Sequence, residues 1–164
     1  MQRIGYAGIM AKAVDPGRRS DCPISVALEL LGDAWSLLIV RDLMFNGRKT
    51  FKDFLEGGEG IASNVLAARL KRLEAAGITT SRPDPDDARR RLFALTEMGI
   101  GLAPVLVELV LWSAVHLRTA APRAVTRRMA GEREAFLAEV RHQWAVSRRV
   151  ASAGGSGRKP RKST

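Results

Sequence analysis

The segment Gly60-Ile-Ala-Ser-Asn-Val-Leu-Ala-Ala-Arg-Leu-Lys-Arg-Leu-Glu-Ala-Ala-Gly77 reads as a single short helix, capped at both ends, and everything around it must fit that element. At roughly 100° per residue, Leu66, Leu70 and Leu73 share one side, with Ala62 and Arg69 at its edge. Asn64, Ala68, Lys71 and Ala75 centre on the opposite side, flanked by Ala67 and Arg72. The leucine side calls for burial, so the helix belongs to a larger core and shows its second face outward. Small residues on that face let a backbone come close to a base-pair edge. Asn pairs with adenine, alanine methyls meet thymine, and Lys or Arg bonds guanine. An ordinary amphipathic surface helix has the same pattern, and the segment alone does not separate the two.

The residues that follow favour the groove reading. Gly77 supplies a left-handed stop. Ile78-Thr-Thr-Ser-Arg82 is short and β-branched, Pro83 to Arg89 is turn chemistry, and Arg90 to Thr96 reads as a return strand. Helix, strand, charged loop and strand form a helix-turn-helix with a β-hairpin wing. Arg89, Arg90 and Arg91 put cations at the wing, where they reach phosphate or a neighbouring minor groove. The other reading of this arginine run is a solvated hairpin edge that resists pairing with another chain.

Upstream, Pro23 suits the first position of a helix with Cys22 at its cap, and Ile24, Ala27, Leu28 and Leu31 form its inward side. Asp33 caps the next helix, in which Trp35, Leu38, Ile39, Asp42, Leu43 and Phe45 run to an Asn46-Gly47 stop. Thr50-Phe-Lys-Asp53 has the spacing of a capping box and opens a third helix that carries Phe51, Phe54 and Leu55 inward. Downstream, Thr96-Glu97 starts a long helix that Pro104 bends. Leu102, Val105, Leu106, Leu109, Val110, Trp112 and Leu117 make that helix apolar around much of its circumference. It needs a second surface, supplied by a symmetric dimer through Val105, Leu109 and Trp112 or by burial under the C-terminal helix. Pro122 begins that last helical region, with Met129, Phe136, Leu137, Val140 and Trp144 at helical spacing.

The expected organisation is a flexible arm over 1–20, a winged helix-turn-helix over 21–95 and a dimerisation helix over 96–118. A helical extension over 119–150 and a disordered basic tail over 151–164 complete it. The fold class is thus mainly α with a small β-hairpin wing. A net charge of +10 on 164 residues points to a polyanionic partner, here double-stranded DNA. A single cysteine forbids an internal disulfide and fits a reducing compartment. No secretory leader and no apolar run of transmembrane length stand out, so the expected location is the cytoplasm, without a membrane partner.

Catalytic and metal chemistry finds no support in the pattern. His116 and His142 stand apart, and there is neither a Cys-x-x-Cys pair nor a phosphate-cradling glycine loop. Asp84, Asp86 and Asp87 lack the spacing of a calcium loop and read as a polar turn. No nucleophile pairs with a base. The expectation is a non-enzyme with no metal and no cofactor. Trp35, Trp112 and Trp144 could wall a small-ligand pocket, although aromatics at helical spacing are more ordinarily core.

Several motifs taken in order carry a family resemblance. They are Cys22-Pro-Ile24, Leu31-Gly-Asp-Ala-Trp-Ser-Leu-Leu-Ile-Val-Arg-Asp-Leu43, Phe51-Lys-Asp-Phe54, Gly60 to Leu70, and Leu95-Thr-Glu-Met-Gly99. Across Ser20 to Leu117 the chain resembles the HxlR-type winged helix-turn-helix regulators of bacteria. The resemblance implies a homodimeric transcription factor on an inverted repeat in or beside a promoter. It also implies that Cys22 answers to electrophiles or oxidants. A thiol at a helix N-terminus, near Arg18 and Arg19, suits that role, and a plain cap or packing residue is the alternative. The wing sequence Asp84 to Arg91 is closer to MarR-type regulators.

On this reading Asn64, Ala67, Ala68 and Lys71 face base edges, with Ser63 at the helix start. Lys49, Arg69, Arg72, Arg89, Arg90 and Arg91 hold phosphate. A repressor is the expected form. A non-specific nucleoid-type protein and a winged-helix protein-interaction module are the competing classes.

Overall fold

Pro23 lies at the start of α1 (Pro23–Leu31), with Cys22 as its cap residue. The computed structural model describes residues 19–153; most of the expected arm and most of the basic tail lie outside these residues. Asp33 starts α2 (Ser36–Phe45) by accepting the amides of Trp35 at 2.9 Å and Ser36 at 3.0 Å. The capping box at Thr50 opens α3 (Phe51–Leu55): Thr50 Oγ1 accepts the Asp53 amide at 3.1 Å, and Asp53 Oδ2 accepts the Thr50 amide at 2.8 Å.

The long amphipathic segment is α4 (Ser63–Ala75), and Gly77 follows it at a φ of 71°. Strands β1 (Thr79–Pro83) and β2 (Arg91–Leu95) then pair antiparallel, with Thr79 opposite Leu95 and Pro83 opposite Arg91. The carbonyl of Lys49 accepts the Phe93 amide at 2.7 Å, so the chain before α3 runs beside β2 as a further extended neighbour.

Thr96 caps α5 (Glu97–Ile100), and α6 (Ala103–His116) follows after a turn at Gly101–Leu102. The pattern suggested one bent helix here. Instead Pro104 sits in the first turn of α6, where its missing N–H costs nothing. A Cβ on Gly99 would stand 2.2 Å from the Ile78 carbonyl oxygen, so only glycine lets α5 approach the wing this closely. By length and composition alone the stretch Glu97–His116 is apolar enough to cross a membrane, with Glu97 and Glu108 its only acidic residues. One face of it is committed to the core, where Ile100, Ala103, Leu106 and Val107 are buried.

The C-terminal region forms two helices, α7 (Arg123–Gly131) and α8 (Arg133–Ala153), which fold back over α6 and α2. Met129, Leu137 and Val140 are buried, the Phe136 ring stands 6.3 Å from Phe45, and Trp144 Nε1 donates to the Leu95 carbonyl at 3.0 Å. One core results: Ile39, Val40, Phe54, Leu66, Leu70, Leu73 and Ile78 continue into Phe93, Leu95, Leu106 and Leu137.

Two apolar faces differ from the sequence reading. In α1 no residue is buried, and Ile24 and Leu28 remain 61% and 54% exposed. Of the expected inward side of α1, Ile24, Ala27 and Leu28 thus stay exposed, while Leu31 packs against the core. Leu55, at the end of α3, is also exposed. Helical spacing identified both sets as apolar but could not say whether a partner surface lies opposite.

Candidate nucleic-acid interface

Burial of Leu66, Leu70 and Leu73 fixes the rotation of α4. Each fully buried leucine contributes about 1.5–3 kcal/mol, enough together to hold the helix against turning. The rotation leaves Ser63, Asn64, Ala67, Ala68 and Lys71 exposed on the opposite side. Ala62 begins the helix without any side-chain cap, a departure from the expected two-ended capping. The first-turn amides are consequently open to solvent or to an anionic oxygen.

Several charged groups hold α4 in place. Ser36 Oγ donates to Asp33 Oδ2 at 2.5 Å, and Arg69 Nε lies 3.2 Å from Asp33 Oδ1. Burial raises the Asp33 carboxyl, but the Ser36 hydroxyl, the two amides and the Arg69 charge outweigh it and hold the group below the ordinary carboxylate range. Arg72 donates to the backbone carbonyl of Glu29 on α1. Arg69 and Arg72, both expected on phosphate, thus make contacts inside the molecule. The Arg69 stem lies on the rim of the leucine face, whereas Arg72 flanks the exposed face and turns its guanidinium back to α1.

A second carboxylate organises the other end of α2. Asp42 is buried and accepts Arg41 Nη2, Asn46 Nδ2 and Arg48 Nη1, each at 2.7 Å. Arg41 also reaches Glu59 at 2.8 Å, in the turn that leads to α4. Sequence reading gave this cluster no role. The available signal was an Arg-Asp pair set in an apolar helix, where a buried charge requires partners.

The wing is stiffened in the same way. Asp84 is buried at the tip, accepts the Asp86 amide at 3.0 Å, and pairs with Arg90 Nη2 at 2.6 Å. The Asp86 amide is the main cause of its lowered carboxyl pKa; burial opposes this and Arg90 reinforces it. Arg91 Nε donates to Ser81 Oγ at 2.9 Å, and Ser81 Oγ donates to Glu74 of α4 at 2.7 Å, so a side-chain chain ties wing to helix. Arg89 is almost fully exposed, with its Nε 3.3 Å from Asp87. Lys49 is exposed beside β2.

The remaining expected site residues lie elsewhere. Val105, Leu109 and Trp112 form a stripe along α6 and are 46%, 45% and 57% exposed, although α7 and α8 pack against the same helix. Cys22 is a free, half-buried thiol at the start of α1, and its sulfur makes no cap hydrogen bond.

A family model described as HxlR-like helix-turn-helix matches residues 30–121. The chain is 37% identical over 93 residues to the HTH-type transcriptional regulator YodB of Bacillus subtilis, a match covering 56% of this chain and 82% of that protein. It is 34% identical over 86 residues to an uncharacterized HTH-type transcriptional regulator of Synechocystis sp.; this covers 52% of the chain and 63% of the relative's length. The reduced form of YodB superimposes with a TM-score of 0.50 at 35% identity, over 58% of this chain and 93% of that one. The redox regulator HypR in its oxidized form gives a TM-score of 0.53 at 25% identity, over 60% of this chain and all of that one.

Proposed function

The chain belongs to the HxlR-like helix-turn-helix family, regulators and not enzymes, and from that premise we propose that it is a homodimeric repressor binding an inverted-repeat operator. The observation that carries this reading is the division of α4: its three leucines are buried while Ser63, Asn64, Ala67, Ala68 and Lys71 all face outward. In the complex these side chains lie against base edges. Lys49, Arg89, Arg90 and Arg91 surround them with positive charge for phosphate, while Arg69 and Arg72 are held by Asp33 and the Glu29 carbonyl. Two copies related by a dyad present their α4 helices about 34 Å apart, one turn of duplex. The bare stripe of Val105, Leu109 and Trp112 is the surface that joins them. A dimer seated on a promoter blocks polymerase by occupancy alone, which needs no activating contact. A cytoplasmic location follows from this role.

Cys22 is the proposed receiver of an oxidant or electrophile signal. Its thiol is free and partly accessible, and the similar HypR is described as a redox regulator.

Selection of bound fragments from genomic DNA by the full chain, followed by footprinting, tests the reading. An inverted repeat protected on both half-sites is the expected result. Equal affinity for all fragments, without a footprint, would replace it with a non-specific nucleoid-type protein. Absence of DNA binding at low salt would leave a protein-interaction module.

A further inference from the structure

We propose that the cleft between the wing and α8 is a binding site for a small, flat, apolar carboxylate. This goes beyond the DNA-binding reading and does not depend on it. The hairpin register places Thr80 opposite Ala94 and Arg82 opposite Leu92. Side chains alternate along a strand, so these four share the hairpin face turned away from the buried Phe93 and Leu95. Helix α8 runs past that face and is pinned to it by the hydrogen bond from Trp144 Nε1 to the Leu95 carbonyl. Between them lies a cavity of about 330 Å³, walled on its apolar side by Leu43, Leu92, Ala94 and Trp144. That volume falls at the small end of the range for organic ligands.

The polar groups at the cavity set the ligand's charge. Lys49, Arg82 and Arg148 line it from three different elements, and no Asp or Glu does. Among the described residues, none of these three cations lies within ion-pairing distance of a carboxylate, in contrast to Arg41, Arg69, Arg90 and Arg133. Arg148 instead lies over the Trp144 ring, 5.0 Å from its centroid. An apolar slot lined by Lys49, Arg82 and Arg148, with the Arg82 charge shared with nearby Asp84, suits an aromatic ring system that carries one carboxylate. Trp144, Ser147 and Arg148 lie beyond residues 30–121, so this wall is not part of the segment matched to the family model.

The test is calorimetric titration of the full chain, without DNA, using 1-naphthoate and the uncharged 1-naphthamide. Saturable binding of one naphthoate per chain is expected, with the amide about tenfold weaker because it lacks the charge-assisted bonds. Arg148→Gln should weaken naphthoate by about tenfold and leave the amide unchanged. Ser147→Phe, a change on the exposed surface of α8, should fill the cavity and abolish binding of both while the helical circular dichroism stays intact. No saturable naphthoate binding, equal affinity for the two probes, or unaltered binding to the Ser147→Phe protein would each overturn the proposal. Because no DNA is present, a failure of the operator reading leaves this result interpretable.

Discussion

Asp33 Oδ1 lies 3.2 Å from Arg69 Nε while the same oxygen accepts the first amides of α2. One carboxylate therefore begins the positioning helix and clamps the groove-facing helix to it. Asp33→Ala should cost about 1–2 kcal/mol, the loss of a cap. The folded-state carboxyl sits below its ordinary value, so its contribution is fully present above the unfolded value of about 3.9. It is lost as pH falls through the folded value. Urea unfolding of wild type and Asp33→Asn should show a stability gap at pH 7 that closes under strong acid; a gap independent of pH would refute this assignment.

Asn64 and Lys71 project from the middle of the exposed face of α4. Asn64→Ala and Lys71→Ala should each cost about 1–3 kcal/mol on the selected operator and relax base preference at one position per half-site. Affinity for random duplex should change little for Asn64→Ala. Equal losses on both kinds of DNA would remove these residues from base readout.

Arg90 is both a cation and the clasp of the wing tip through Asp84. Arg90→Ala should weaken binding to every sequence and flatten the salt slope by about one unit. Asp84→Asn separates the two roles. It loosens the turn, seen as faster amide exchange at 84–91, but leaves the arginine charge in place. Slow exchange in both variants would show that the ion pair does not order the tip.

Leu109 stands in the centre of the bare stripe on α6. Leu109→Asp should convert a dimer into a monomer in sedimentation equilibrium without loss of helical signal, because the wild-type residue has little cover within its own subunit. DNA affinity should fall with it, since half of the phosphate and base contacts depart. A monomeric wild type would contradict the arrangement outright.

Cys22 can be examined with diamide or a quinone. Operator affinity of the wild type should drop on treatment, and that of Cys22→Ser should not. A response of equal size in both proteins would assign the chemistry elsewhere.

Much of this molecule is readable from spacing alone. Leu66, Leu70 and Leu73 declare the buried side of α4, Thr50 and Asp53 declare the start of α3, and Gly77 marks the turn into the wing. Each is a local rule that acts within a few residues. The same rules misplace α1, where Ile24 and Leu28 have helical spacing but no cover, and they join α5 to α6 across the turn at Gly101. They also give Arg69 and Arg72 the same standing as Lys71, although only Lys71 points away from the molecule's own acceptors.

Periodicity, capping residues and turn chemistry determined which segments become helices and strands, which face of α4 is apolar, and that the chain is strongly basic. Only the tertiary structure decided that Asp33 finds Arg69, that Arg41 finds Glu59, that the α6 stripe stays bare, and that α8 closes a cavity against the wing. The physical reason is range. Backbone hydrogen bonds and side-chain periods act between neighbours in sequence, whereas ion pairing and packing depend on distances in space that no local pattern encodes.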